Sequence, residues 1–119
     1  MKVITRKEML RMPKGTVYSY YEPHFFRELE IKADDPENYD NDWLFDSIVG
    51  AVKNNGSGDF SDKCTLMKAG ESVEVDFENT SRDGMFEDEQ LYAVYEKEDV
   101  EKLIARLQQT LWTQNTTPA

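Results

Sequence analysis

The segment TVYSYYEPHFFRELEIKA, residues 16–33, decides the reading of the fold, because it holds two extended runs joined by a proline break. Thr16 to Glu22 is rich in β-branched and aromatic residues, which suit a pleated, half-buried surface. Pro23 and His24 interrupt it. From Phe26 to Ala33 the chain alternates, with Leu29, Ile31 and Ala33 on one side and Glu28, Glu30 and Lys32 on the other. That pattern predicts an antiparallel pair of strands whose charged side faces water.

Upstream, Thr5-Arg6-Lys7-Glu8 has the form of a capping box, and Pro13 stops the predicted two-turn helix near Met12. Downstream, Asp34 to Asp42 is a polar loop, with Asp40 or Asp42 placed to cap a helix over Trp43 to Val52. Leu44, Ile48 and Ala51 share a helical stripe there, although a buried strand fits too and Gly50 weakens a helix by about 1 kcal/mol. Phe60 to Met67 suits either a short helix or a strand. Ser72 to Glu78 alternates most cleanly, with Val73, Val75 and Phe77 opposite Glu74, Asp76 and Glu78, and reads as a strand. Asn79 to Gly84 is turn chemistry and Leu91 to Tyr95 a further strand. A last helix starts at Glu98 or Asp99, with Val100, Leu103, Ile104, Leu107 and Leu111 on one face.

Together these elements predict an α+β fold: a small, mostly antiparallel sheet of about four to five strands, packed by a C-terminal amphipathic helix and one or two short helices. The 119 residues fit one domain, residues 1–112, followed by a flexible tail, 113–119. The single cysteine, Cys64, excludes an internal disulfide, and no zinc-type Cys/His spacing is present. The N-terminus lacks the apolar stretch of a signal peptide, and nothing approaches the ~20 apolar residues of a membrane span. The expectation is a protein of the cytoplasm.

Charge is unevenly placed. Residues 1–27 hold six basic side chains against Glu8 and Glu22, a net of +4, while residues 71–101 hold twelve acids against Arg82 and Lys97. The net of −10 in that second stretch equals the net of the whole chain. Such a field repels nucleic acid and anionic lipid and attracts basic protein surfaces.

The residue patterns argue against catalysis. His24 is the only histidine, and no Gly-x-Ser-x-Gly elbow accompanies any serine. Cys64 reads as a structural thiol. Glu30-Ile31-Lys32 has the Glu-x-Lys form of magnesium-dependent nucleases, but only Glu22 is available as an upstream metal-binding acid, and strand alternation explains the triplet better. Asn79, Ser81, Asp83 and Gly84 imitate the start of a calcium loop, whose twelfth position is then Gln90 where a glutamate is required. No glycine-rich phosphate cradle is present. The expectation is therefore a binding protein without metal or cofactor.

Two surfaces are candidates. The first is acidic: Glu74, Asp76 and Glu78, projecting from one strand at ~6.6 Å spacing, with Glu87, Asp88 and Glu89 in the connection that follows. Carboxylates so spaced imitate the phosphates of a nucleic-acid strand and suit a protein with a basic surface, whereas the same charge also serves a solvated sheet edge. The second is aromatic and basic: Tyr18, Tyr20, Tyr21, His24, Phe25 and Arg27, either an interface hot spot or a stacking pocket for a small ligand such as a signalling nucleotide. Direct nucleic-acid or membrane binding is not expected, and the oligomeric state stays open, a homodimer included.

The stretch from Met1 to Lys32, with Pro13-Lys-Gly-Thr-Val-Tyr18, Tyr21-Glu-Pro23, Phe26 and Leu29-Glu-Ile-Lys32, followed by Asn41-Asp42-Trp43, resembles a family of small phage and prophage accessory proteins. The resemblance covers about the first 50 residues and carries no catalytic motif. It implies a protein made in a bacterial host cell that acts by binding and inhibiting a host protein, in defence or nucleic-acid processing.

Overall fold

A computed structural model describes residues 1–23, 25–36 and 40–116. In chain order the elements are β1 (Lys2–Thr5), α1 (Arg6–Leu10), β2 (Val17–Glu22), β3 (Phe25–Phe26), β4 (Glu30–Lys32), β5 (Leu44–Ser47), α2 (Ser57–Lys68), β6 (Thr80–Arg82), β7 (Leu91–Tyr95) and α3 (Lys97–Thr116). Six strands lie side by side in the order β1-β7-β2-β4-β5-β6, every pair antiparallel, and β3 continues the hairpin at the far end of β2. The fold is α+β, with a sheet slightly larger than the sequence suggested.

The capping box at Thr5 forms as the sequence requires: Thr5 Oγ1 accepts from the Glu8 amide, and Glu8 accepts from the Thr5 amide, at 3.2 Å each. The helix it starts is only five residues long. Ahead of it, Lys2–Thr5 pairs with β7 as an unforeseen edge strand. The N-terminal amine holds that strand's end through Glu96 at 3.2 Å and Asp99 at 2.5 Å.

The faces of the second hairpin strand are the reverse of the expected ones. Tyr18 stands opposite Glu30, and Lys32 opposite Phe45, so the charged side of Glu30-Ile31-Lys32 points into the core. Lys32 is 2% exposed. Its ammonium donates to the carbonyls of Met9, Leu10 and Met12 at 3.1, 3.0 and 2.8 Å. Those carbonyls lie at and just past the C-terminal end of α1, before Pro13, and that of Met9 also accepts from the Met12 amide at 3.1 Å. A buried cation capping a short helix thus replaces the solvent-facing lysine that alternation implied.

Residues 43–52 contain a strand, β5, and no helix, while 57–68 form a helix, α2. Asp42 caps nothing helical; its carboxylate is drawn into the core. The clean alternation of Ser72 to Glu78 does not make a strand: only Val75 bridges, to Val52. The strand lies instead at Thr80–Arg82, where the sequence reads as turn. Backbone bonds Gly50–Asp76, Asp76–Ala51 and Lys53–Glu74, 2.9 to 3.0 Å, continue the β5/β6 pair outward as an irregular two-stranded arm that ends in α2. Gly50 is needed there, because a Cβ would lie 2.7 Å from both the Asp76 carbonyl and the Asn79 amide nitrogen.

The core is small and aromatic. Tyr18, Trp43 and Tyr92 meet edge to face, with centroids 6.1, 6.0 and 5.4 Å apart, and Ile4, Met9 and Val94 close around them. Each such ring pair contributes about 0.5–1.5 kcal/mol beyond the area it buries. The two long helices take little part. No residue of α2 is buried, and α3, expected to pack on the sheet, leaves Ile104, Leu107 and Leu111 in solvent. The helix also runs on to Thr116, and residues 117–119 lie outside the described residues. The radius of gyration, 17.2 Å, exceeds the ~13–14 Å of a compact chain of this length because the arm and α3 project. Among the described residues no helix is long and apolar enough to cross a membrane.

Candidate docking surface and the ion network behind it

Behind the acidic surface lies a buried network of opposite charges. Arg6 donates to the Asp83 carboxylate at 2.8 Å, to the Tyr92 hydroxyl at 3.0 Å and to the Asn41 carbonyl at 2.8 Å, with its guanidinium 4.5 Å above the Trp43 ring. Asp42 accepts from the Trp43 amide at 2.9 Å, from Arg82 Nε at 2.6 Å and from the Gly84 amide at 3.0 Å. The Tyr20 hydroxyl donates to Asp83. Two arginines and two aspartates therefore balance: Arg6, Asp42 and Asp83 are buried, and Arg82 reaches in from the surface with its side chain 39% exposed.

The network sets protonation. Burial works against the Arg6 charge, but the bonds to Asp83 and Tyr92 outweigh it and hold the guanidinium above its usual range. Burial, then the bond to Asp83, pushes the Tyr20 phenol far up, and burial pushes Tyr92 up to about 12. Burial lowers Lys32. Glu30 is the unbalanced member: one carboxyl oxygen has no hydrogen-bond partner, and burial, then Glu28 and Asp83, push it up to about 7.

The network also fixes the loop that follows β6. Asp42 and Asp83 clamp the turn at Gly84, whose φ is +64°. Two residues on, Phe86 adopts φ +50°, a left-handed conformation costing about 1 kcal/mol for a residue with a Cβ. Its ring lies 5.8 Å from the Arg6 guanidinium and 5.5 Å from that of Arg82, and these contacts offset the strain while part of the ring stays in solvent.

The six acidic candidates fall into two groups at the two ends of β6. Glu74, Asp76 and Glu78 line a shallow groove with Lys53, Asn54, Val75 and Phe77. Their expected strand-like row is absent, since Asp76 turns back to accept from the Glu78 amide at 2.9 Å. Glu74 lies 3.5 Å from Lys53. Glu87 and Glu89 line a second groove with Tyr21, Glu22, Pro23 and Leu91, and Asp88 is exposed beside them.

The aromatic candidates do not form one surface. Tyr18 is 1% exposed and accepts from the Trp43 indole at 2.8 Å, so it belongs to the core. Tyr20 is half-buried and committed to Asp83. Tyr21 instead joins the second acidic groove, so the two surfaces foreseen as separate meet there. Arg27 is exposed and paired to Glu22 at 2.6 Å. His24 and the side chain of Phe25 lie outside the described residues.

The sequence reading missed Phe77 and Phe86, 66% and 43% exposed. Phe77 stands between Asp76 and Glu78 and Phe86 directly precedes Glu87, and that adjacency to acids was their only signal. Among the described residues no group of three or more His, Cys, Asp or Glu is arranged to hold a metal ion. No known protein family, curated protein or solved structure matches the chain.

Proposed function

We propose that this protein acts by binding a basic surface of another protein through residues 74–89, as an inhibitory accessory protein of the phage type acting on a host defence or nucleic-acid-processing factor. One observation carries the reading: Val75, Phe77, Met85 and Phe86 are exposed among exposed Glu74, Glu78, Glu87, Asp88 and Glu89. Aromatic anchors inside a charged rim are the composition of a binding surface, and large apolar side chains held in water across one segment mark an interaction site. Nine of the twelve acids in residues 71–101 are exposed, Asp76 and Asp99 are half-buried, and only the Asp83 carboxylate is fully buried. The surface thus presents a dispersed negative field that would steer a cationic partner. The irregular backbone favours this general complementarity over a phosphate-spaced rail. A nucleotide-stacking pocket is disfavoured, because Tyr18 and Tyr20 are spent on the core.

Affinity capture from bacterial host lysate, with mass-spectrometric identification, tests the proposal. The captured partner should release as salt rises. Glu74→Gln/Glu78→Gln/Glu87→Gln/Glu89→Gln should slow association, and Phe77→Ser/Phe86→Ser should speed dissociation. Undiminished capture by both variants would remove residues 74–89 from the interface.

A further inference from the structure

Two pairs in the chain set a side-chain carbonyl directly before a glycine, Asn55-Gly56 and Asp83-Gly84. In such a pair the glycine amide nitrogen can close on the γ-carbon of the preceding side chain, because no Cβ on the glycine shields it. The fold locks one pair and leaves the other open. The Asp83 carboxylate is fully buried and bonded to Arg6 and Tyr20, and the Gly84 amide donates to Asp42 at 3.0 Å. Asn55 and Gly56, by contrast, are both exposed, and a Cβ at Gly56 would meet nothing within 4 Å. The main-chain amide of Asn55 donates to Asp59 at 2.9 Å, while its side chain has no hydrogen-bond partner among the described residues. The Gly56 amide makes a surface bond to Asn54 Oδ1 at 3.0 Å, for which water competes. No other asparagine precedes a glycine.

We infer that Asn55 is a site of spontaneous modification, where the asparagine of the folded protein converts to isoaspartate and aspartate. Hydroxide removes the Gly56 amide proton, and the nitrogen attacks Asn55 Cγ. As the new N–Cγ bond forms, the Cγ–Nδ2 bond breaks; the departing nitrogen takes a proton from water, restoring hydroxide, and leaves as ammonia. Water then opens the cyclic imide at either carbonyl. Opening at Cγ gives aspartate, and opening at the main-chain carbonyl gives isoaspartate, with the chain now running through Cγ. Each conversion consumes a water, releases an ammonia and replaces a neutral amide by a carboxylate.

The position matters because Asn55 joins the arm to α2. Asp59 holds both the Asn55 amide and Lys63, the latter at 3.1 Å, and Lys63 donates to the Lys53 carbonyl at 2.9 Å. These bonds tie residues 53–55 to a helix that has no buried residue and no side-chain cap at Gly56. An extra methylene in the main chain carries the Gly56 amide away from Asn54 and loosens the first turn. Lys53 and Asn54 also line the groove of Glu74, Asp76 and Glu78, in which Lys53 is the only cation. The new carboxylate therefore adds negative charge beside that groove. The chemistry at Asn55 stands whether or not the groove binds a partner.

Incubation of the freshly purified full chain in mildly alkaline and mildly acid buffer, followed by peptide mapping with mass detection, tests the inference. The peptide that contains Asn55 should gain the mass of an amide-to-acid exchange, faster in alkali, and separate into two products, one of them a substrate for an isoaspartyl methyltransferase. Asn55→Gln should stay unconverted over the same time. Hydrogen exchange in the first turn of α2 should quicken in aged wild type and not in Asn55→Asp, which adds the charge without lengthening the chain, while β7 keeps its protection in both. Survival of the Asn55 amide in the folded chain would overturn the inference, as would conversion led by another asparagine or by Asp83. Unchanged exchange in chains that carry isoaspartate would overturn the loosening of the joint.

Discussion

Replacing Glu30 by Gln should stabilise the protein above neutral pH and leave it almost unchanged in mild acid. The Glu30 carboxyl sits at about 7 in the folded chain because burial and the neighbouring Glu28 and Asp83 disfavour its charge, and one of its oxygens finds no donor. In the unfolded chain it titrates at the ordinary glutamate value of 4.5. Between these two values the folded state holds more protons than the unfolded state, so stability falls as pH rises from 4.5 through 7 and then levels off. A difference of about 2.5 units corresponds to at most ~3.4 kcal/mol, and solvent screening of a half-buried group reduces this to ~1–2 kcal/mol.

The isosteric amide keeps the shape and removes the charge. Urea unfolding of wild type and Glu30→Gln, followed by Trp fluorescence at half-unit steps from pH 4.5 to 8.5, isolates the effect, because every other titrating group cancels in the difference. The gap between the two curves should open with pH by that ~1–2 kcal/mol, a shift in midpoint of about 0.5–1 M at a typical urea slope near 2 kcal/mol/M. A pH-independent gap would refute the burial of this charge, and a gap that widens toward acid would refute its sign.

Asp83→Asn should cost about 3–5 kcal/mol, since it leaves Arg6 buried with half of its compensating charge; chemical denaturation at pH 7 measures it, and a loss below ~1 kcal/mol would place the pair in solvent. Gly50→Ala should open the arm locally, at a cost of about 1–3 kcal/mol, because its Cβ meets the Asp76 carbonyl at 2.7 Å. Hydrogen exchange at residues 50–53 should quicken while β7 keeps its protection; an unchanged pattern would deny the close approach.

The parts of the fold legible in the sequence are those where one local rule suffices. Thr5 and Glu8 define a cap by their spacing, Val17 to Glu22 and Leu91 to Tyr95 are strands by composition, and the periodicity of α3 gives its apolar face. The errors arise where the environment decides. Alternation separates Glu30 and Lys32 from Leu29 and Ile31, but not which side is inward, and the ordinary preference for apolar interiors points the wrong way when the core holds its own counter-charges. Ser72 to Glu78 has the period of a strand, but it pairs only irregularly, with Gly50 to Lys53, and no ladder forms along its length. The acidic half of the candidate surface was visible as a run of charge. Phe77 and Phe86 were hidden, because an aromatic residue in a short segment is assigned to the core until burial is known.

The distribution of apolar groups joins these results. Among the described residues seven hydrophobic side chains are buried, while fifteen large ones are exposed, and Arg6, Lys32, Asp42 and Asp83 occupy interior space that leucines could fill. The charged interior favours one arrangement, since each ion has a particular partner, and it anchors the loop that displays Phe86. Eleven of the fifteen apolar residues left outside are grouped on residues 75–86, on α2 and on α3. A lone chain gains nothing from exposing them, whereas a chain that associates stabilises itself by covering them. On the proposed reading, the division between a small ionic core and apolar appendages is that of a chain completed by association, with the acidic segment facing a basic surface of another protein.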